Sequence, residues 1–344
     1  MDRISPELAL ILNISADIYK KPFLSVPKEV KWDSICKLAF LNKIAYYTTM
    51  KIAEGQIPEI APEMVAKAKQ RKVQEDIKLS MLNETIKLVA DILKNEQFCL
   101  FKTYRGYPHV THDTDILVSD LEEARAIFLS AGLKPHMFWD KRSFEIIEDG
   151  LLEIEVYNNV SPGPMVFIDS NLPWSSERFT TMNGINIRLP SIEADIMTFI
   201  ADIGHRTYEI NIGDILYIYL LAPGADWQLL ISQAKKYGWY DQFVYIVGIL
   251  NGLHRQIYGE QSPMESELPN VITVDLKLPY ILPLTKVANA LWIKGTNNLL
   301  RLPGYYSIRL KNNHAKLHKI YSKFVLVQGA NIMGRFLYRG AHNN

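Results

Sequence analysis

The sequence predicts an α+β protein in which a small mixed sheet sits between an N-terminal and a C-terminal helical region. Three observations lead there. Residues 63–94 repeat apolar positions at helical spacing with no Gly or Pro among them. Residues 98–118 and 143–158 carry short apolar runs in which polar residues alternate, broken by turn-forming residues. Residues 191–258 then return to helical periodicity. With 344 residues and 48% hydrophobic content the chain can bury a substantial core. It divides into a helical region at 1–95, a sheet-forming core at 96–190, a second helical region at 191–260 and an extension at 261–344.

Taken in order, Trp32, Ile35, Leu38, Ala39 and the residues from Ile44 to Tyr47 fall at helical intervals, and the long segment 63–94 ends at Asn95 and Glu96. Residues 98–104 read as a buried strand, followed by the turn-rich RGYPHVTH and a second strand at 114–118. Ser119 and Glu122 have the spacing of a capping box for a helix running to Leu129 and closed by Gly132. SFEIIED and LLEIEVYN read as a strand pair turning at Gly150. Similar amphipathic helices begin at Trp32-Asp33 and at Asp226-Trp227.

The chemistry concentrates in DTDILV, residues 113–118. Asp113 and Asp115 are one residue apart in a strand pattern, so both carboxylates leave the strand on one face. They repel each other, and no basic residue follows within a few positions to neutralise them. A divalent cation resolves the repulsion, and hard oxygen ligands suit Mg2+. In EIEV, residues 153–156, Glu153 and Glu155 likewise share a face and offer a third carboxylate. His109 and His112 either polarise a substrate or shape the turn; Asp214 is either a site residue or a charge stabilised at a helix N-terminus.

Composition excludes some classes. Cys36 and Cys99 are the only cysteines and have no paired spacing, so neither a disulfide framework nor a zinc site is indicated. The apolar opening residues are interrupted by acids, and no run of 18 apolar residues occurs, so the expectation is a cytoplasmic protein with no signal peptide or transmembrane segment. Charge is uneven: after Asp275 there is no acidic residue but 11 Lys and Arg, interleaved with Trp292, Tyr305, Tyr306, Tyr321, Phe324, Phe336 and Tyr338. Basic and aromatic residues together suit RNA or another nucleic acid, through phosphate contacts and base stacking. Up to Asp275 the chain carries all 37 acids against 27 Lys and Arg, and docking on this acidic body or on an anionic membrane are the other readings of the extension.

These segments together resemble the nucleotidyltransferase superfamily related to DNA polymerase beta, in particular its uncharacterised members with helical flanks. The superfamily pattern is a small turn after an apolar strand, then about ten residues, then Asp-hydrophobic-Asp-hydrophobic, and later an acid on another strand. LFKT at 100–103, DTDILV and EIEV correspond. The flanks are similar too, through WDSICKLAFLNKIAYYTTMKI and PSIEADIMTFIADIGH followed by GDILYIYLL and ADW, so the likeness covers residues 30–255. Where the superfamily has Gly-Gly or Gly-Ser this chain has Lys102-Thr103, and Thr114 separates the aspartates. His205 matches a histidine of the group's C-terminal helix and reads as a packing residue.

The resemblance implies a mixed-sheet nucleotidyltransferase core and transfer of a nucleoside monophosphate from an NTP to a hydroxyl acceptor, such as RNA, tRNA or protein, with release of pyrophosphate. In it Asp113, Asp115 and Glu155 hold two Mg2+ ions, Glu155 also activating the acceptor and Glu153 standing as its substitute. Lys102, Thr103 and Arg105 contact the phosphates of ATP or another NTP. The alternative is a catalytically silent module of this type that binds RNA or protein, which the altered Lys102-Thr103 turn permits.

Overall fold

The computed structural model describes residues 4–25, 29–57, 60–137, 143–160, 167–182, 184–283 and 285–286. The chain divides into a unit Met1–Leu291 and a unit Trp292–Asn344. The basic, aromatic residues of the extension from Trp292 on lie outside the described residues. In chain order the first unit holds helices α1 (Pro6–Ile14), α2 (Trp32–Leu41), α3 (Ala45–Ala53) and α4 (Pro62–Ile92). Strands β1 (Phe98–Leu100) and β2 (Asp113–Val118), helix α5 (Leu121–Ser130) and strands β3 (His136–Met137), β4 (Ser143–Ile146) and β5 (Glu153–Tyr157) follow. A hairpin of β6 (Arg178–Met182) and β7 (Ile185–Leu189) leads into α6 (Ile192–Asp202) and a π-helical turn at Ile203–Thr207. Strand β8 (Glu209–Ile210), helices α7 (Ile212–Leu221), α8 (Trp227–Lys236) and α9 (Tyr240–Tyr258), and strand β9 (Tyr280–Ile281) complete it. The α+β class is as expected. Among the described residues no single helix is long and apolar enough to cross a membrane.

The main sheet has the order β1-β2-β5-β4-β3 and is mixed: β2 and β5 are parallel, and every other pair is antiparallel. Alternation assigns its two faces. Leu100, Ile116, Val118, Phe144, Ile146, Ile154 and Val156 enter a core shared with Leu82, Ile86, Val89 and Leu93 at the C-terminal end of α4 and with Leu121, Ala124 and Phe128 of α5. Each of the Leu, Ile, Val and Phe side chains contributes about 1.5–3 kcal/mol when fully buried, which pins the register of β2 and β5 because a slip by one residue would exchange their faces. The register is further tied to α4 at Thr85, whose Oγ1 accepts from the Leu152 amide at 2.9 Å and donates to the Met81 carbonyl at 2.7 Å.

Two local expectations are corrected. The first strand stops at Leu100 rather than reaching 104, because Lys102 takes the left-handed backbone (φ +61°) and turns the chain. Helix α5 is capped by Asp120, not Ser119: Asp120 Oδ1 accepts from the Glu123 amide at 3.0 Å. Asp, too, is a strong N-cap, and Leu121 as first helical residue drops straight into the core.

Candidate active site

Sheet register builds the site. Asp113 and Asp115 on β2 stand opposite Glu153 and Glu155 on β5, and Glu145 on β4 stands opposite Glu155. Their neighbours Thr114, Ile154, Val156, Phe144 and Ile146 are buried, so these carboxylates share the other face of the sheet. Asp115 is itself buried. Burial pushes its carboxyl up to about 6, with Lys102 pulling down and Asp113 pushing up. Burial first, then Asp115 and Asp113, push Glu155 up to about 7. Glu153 is raised by burial and by its hydrogen bond with Glu145. Glu155 thus feels both aspartates, and Glu153 feels Glu145 and, after it, Asp113.

The turn after β1 clamps the backbone of Asp115. The Phe101 amide donates to the Asp115 carbonyl at 2.9 Å, and the Asp115 amide donates to Thr103 Oγ1 at 3.0 Å. Thr103 is buried, so its hydroxyl holds the aspartate strand in place rather than facing a cavity. Lys102 does face the acids: Nζ lies 3.9 Å from Asp115 Oδ1 and 3.8 Å from Asp202 Oδ2. A cation thus reaches the pair after all, from a turn 13 residues before Asp115 where no short-range reading of the sequence finds it.

A cavity of about 450 Å³ opens in front of β2. Asp113, Asp115, Lys102, Asp202 and Arg206 form its charged wall, and Phe40, Arg71, Lys78, His109 and His112 line it elsewhere. Glu155 belongs to the neighbouring strand and is not part of that wall. Among the described residues, no three His, Cys, Asp or Glu side chains are gathered to hold a metal ion as they stand. The donor set nevertheless suits a hard cation, being all oxygen, mutually repelling and only partly offset by Lys102 and Arg206.

Arg105 lines the cavity too, but from a buried ion pair. Its side chain is buried in an ion pair with Asp214 (Nη1 to Oδ1, 2.6 Å), and its guanidinium carbon lies 4.3 Å from the centre of the Phe199 ring. Asp214 also takes Lys43 Nζ at 3.0 Å and a hydrogen bond from the Asn211 amide group. Although burial acts to raise its carboxyl, Lys43 and Arg105 hold it well below the usual carboxylate range. The alternatives for Asp214 merge: it lies in the first turn of α7, where the helix dipole favours an anion, and it anchors a cavity wall. Gly213 makes this possible, since a Cβ there would meet the Lys43 carbonyl at 3.0 Å and the Tyr107 hydroxyl at 3.1 Å.

His205 is buried, stacked 4.6 Å from Phe167 and edge-on to Trp239, as befits a packing residue. His109 is half-buried, and burial, then Arg105 and Lys43, hold its imidazole down at about 3, so it is neutral at ordinary pH. His112 is exposed and stands edge-on to Phe40. Sequence reasoning missed Glu145, Asp202, Arg206 and Lys43. Asp202 carried a signal: an acid in the all-apolar pattern of FIADIGH is buried wherever it points and so needs a partner.

Compared with models of protein families, with curated proteins and with solved structures, the chain matches none. The geometry of the site therefore has to carry the functional reading alone.

Proposed function

We propose that this protein is a metal-dependent nucleotidyltransferase that moves a nucleoside monophosphate from an NTP to a hydroxyl acceptor and releases pyrophosphate. The observation that carries the reading is the parallel register of β2 and β5, which sets Asp115 opposite Glu155 in front of a cavity that also contains Asp113 and a lysine. Asp113, Asp115 and Glu155 would hold Mg2+. Bound there, the ion offsets charge on the phosphates and on the attacking and leaving oxygens.

The chain's own residues do the rest. Glu155, held up near neutral pH by burial and its acidic neighbours, takes the proton of the acceptor hydroxyl. The acceptor oxygen then bonds to the α-phosphorus, and the bond to the oxygen bridging α and β breaks, its electron pair leaving on pyrophosphate. Lys102 moves from Asp115 to the triphosphate, where its charge is more useful. Thr103 and Arg105 support phosphate binding from behind, Thr103 by fixing the Asp115 backbone and Arg105 through the Asp214 anchor. RNA or protein is the proposed acceptor class, engaged through the basic extension.

Incubation with each alpha-labelled NTP, Mg2+ and total RNA or lysate tests the reading, with labelled RNA or protein as the expected product and none formed by Asp113→Ala. The position of Lys102 beside Asp115 favours a second reading, a silent module in which the lysine permanently replaces the metal. Mg2+-independent RNA binding with no incorporation from any NTP would select it.

A further inference from the structure

The π-helical turn at Ile203–Thr207 follows directly on α6, and π-helical turns often mark functional positions. It carries Arg206 to the cavity wall four residues beyond Asp202, the last residue of α6. Arg206 Nη2 donates to Asp202 Oδ2 at 2.6 Å, and Lys102 Nζ lies 3.8 Å from that same oxygen. One buried carboxylate therefore holds two cations that come from separate parts of the chain. Burial acts to raise Asp202, yet Arg206 and Lys102 hold it below its ordinary value, so it stays ionised and the three groups carry a net positive charge.

The two cations differ in how much they have left to give. Lys102 is nearly buried, whereas the Arg206 side chain is 44% exposed. A guanidinium has five N–H donors in a planar fork, and among the described residues one hydrogen bond, to Asp202, is formed by that of Arg206. The remaining donors suit bidentate contact with phosphate oxygens. Asp113 and Asp115 line the same cavity beside this pair, with Asp115 Oδ1 3.9 Å from Lys102 Nζ. The cavity thus offers acids for a metal ion and, next to them, cations for anionic oxygens.

We propose that Lys102 and Arg206, held together by Asp202, form a diphosphate subsite that takes the β- and γ-phosphates of the NTP and retains them as pyrophosphate once transfer is complete. The assignment rests on the nucleotidyltransferase reading of the same cavity. Arg206 touches the diphosphate, and Asp202 is a positioning residue that aims both cations. A nucleoside monophosphate lacks the groups this subsite recognises, so its binding is independent of Arg206.

Calorimetric binding of magnesium pyrophosphate, of the NTP and of the corresponding nucleoside monophosphate to the full chain tests this in the wild type, Arg206→Gln and Asp202→Asn. Arg206 is half-exposed and lies in the π-helical turn beyond the end of α6. The expected result is loss of pyrophosphate and NTP affinity by about tenfold or more in both variants, with monophosphate binding changed by less than about twofold. Wild-type affinity for pyrophosphate in Arg206→Gln would overturn the subsite, as would an equal loss for pyrophosphate and monophosphate. If the wild type binds none of the three and transfers no label, the nucleotidyltransferase reading falls with it. If the wild type transfers label and Arg206→Gln keeps its pyrophosphate affinity, only the subsite falls.

Discussion

Two charge clusters lie against one cavity and are built on opposite principles. At Asp214 a single buried carboxylate meets two cations, Arg105 and Lys43, and an amide from Asn211. On β2 and β5, Asp113, Asp115, Glu153 and Glu155 share a face, and Lys102 approaches Asp115 no closer than 3.9 Å. The titration of the two clusters follows: Asp214 is held well below the ordinary carboxylate range, while Asp115 and Glu155 are pushed up to about 6 and about 7. A satisfied cluster holds the cavity together, and an unsatisfied one has charge to spend on a ligand. Removing an acid should therefore have opposite consequences in the two places.

The largest effect is expected on transfer. Asp113→Ala and Asp115→Asn should each lower incorporation of labelled nucleotide by at least about 100-fold, equivalent to about 2.7 kcal/mol of transition-state stabilisation. Their circular dichroism should match that of the wild type. Next comes stability: Asp214→Ala leaves Arg105 buried without its counter-charge and should cost about 3–5 kcal/mol in denaturant unfolding. Asp115→Asn should instead stabilise the ligand-free protein at pH 8 by about 1–2 kcal/mol, because it removes a raised carboxylate.

A pH series sharpens the contrast. Asp115 and Glu155 bind protons more tightly folded than unfolded, so their contribution to stability is largest at low pH. It is lost as pH rises from the ordinary carboxylate range through about 6 and about 7. Asp214 does the reverse, stabilising above the ordinary carboxylate range and losing that contribution as pH falls below it. Asp115→Asn should therefore flatten the neutral limb of the stability profile, and Asp214→Asn the acid limb. The smallest effect lies in the turn between the clusters. Lys102→Gly should relieve about 1 kcal/mol of left-handed backbone strain while weakening NTP binding. Thr103→Val should cost about 1 kcal/mol through the lost hydrogen bond to the Asp115 amide.

What could be read from the sequence was local. The alternation of DTDILV and EIEV placed their acids on common faces, and the turn at Gly150 paired SFEI with EIEVY as β4 and β5. The uninterrupted periodicity of 63–94 marked α4, and Asp226-Trp227 marked the start of α8. The parallel pairing of β2 with β5 was not written locally, since a whole helix and hairpin separate them. The cations were hidden for the same reason. Arg105 and Asp214 are 109 residues apart, and a basic residue beside a strand gives no sign of whether it faces phosphate or a buried acid. Only the apolar surroundings of Asp202 and Asp214 in FIADIGH and NIGDILYIYLL signalled that each needed a partner.

The unsatisfied acids are the centre of this account, and their affinity for a cation with its nucleotide tests it most directly. Calorimetric titration of Mg2+ and a non-transferable triphosphate analogue into the wild type and Asp115→Asn at pH 8 should show binding that the substitution weakens by about tenfold or more. Equal affinity in the two proteins, or no binding in the wild type, would contradict it.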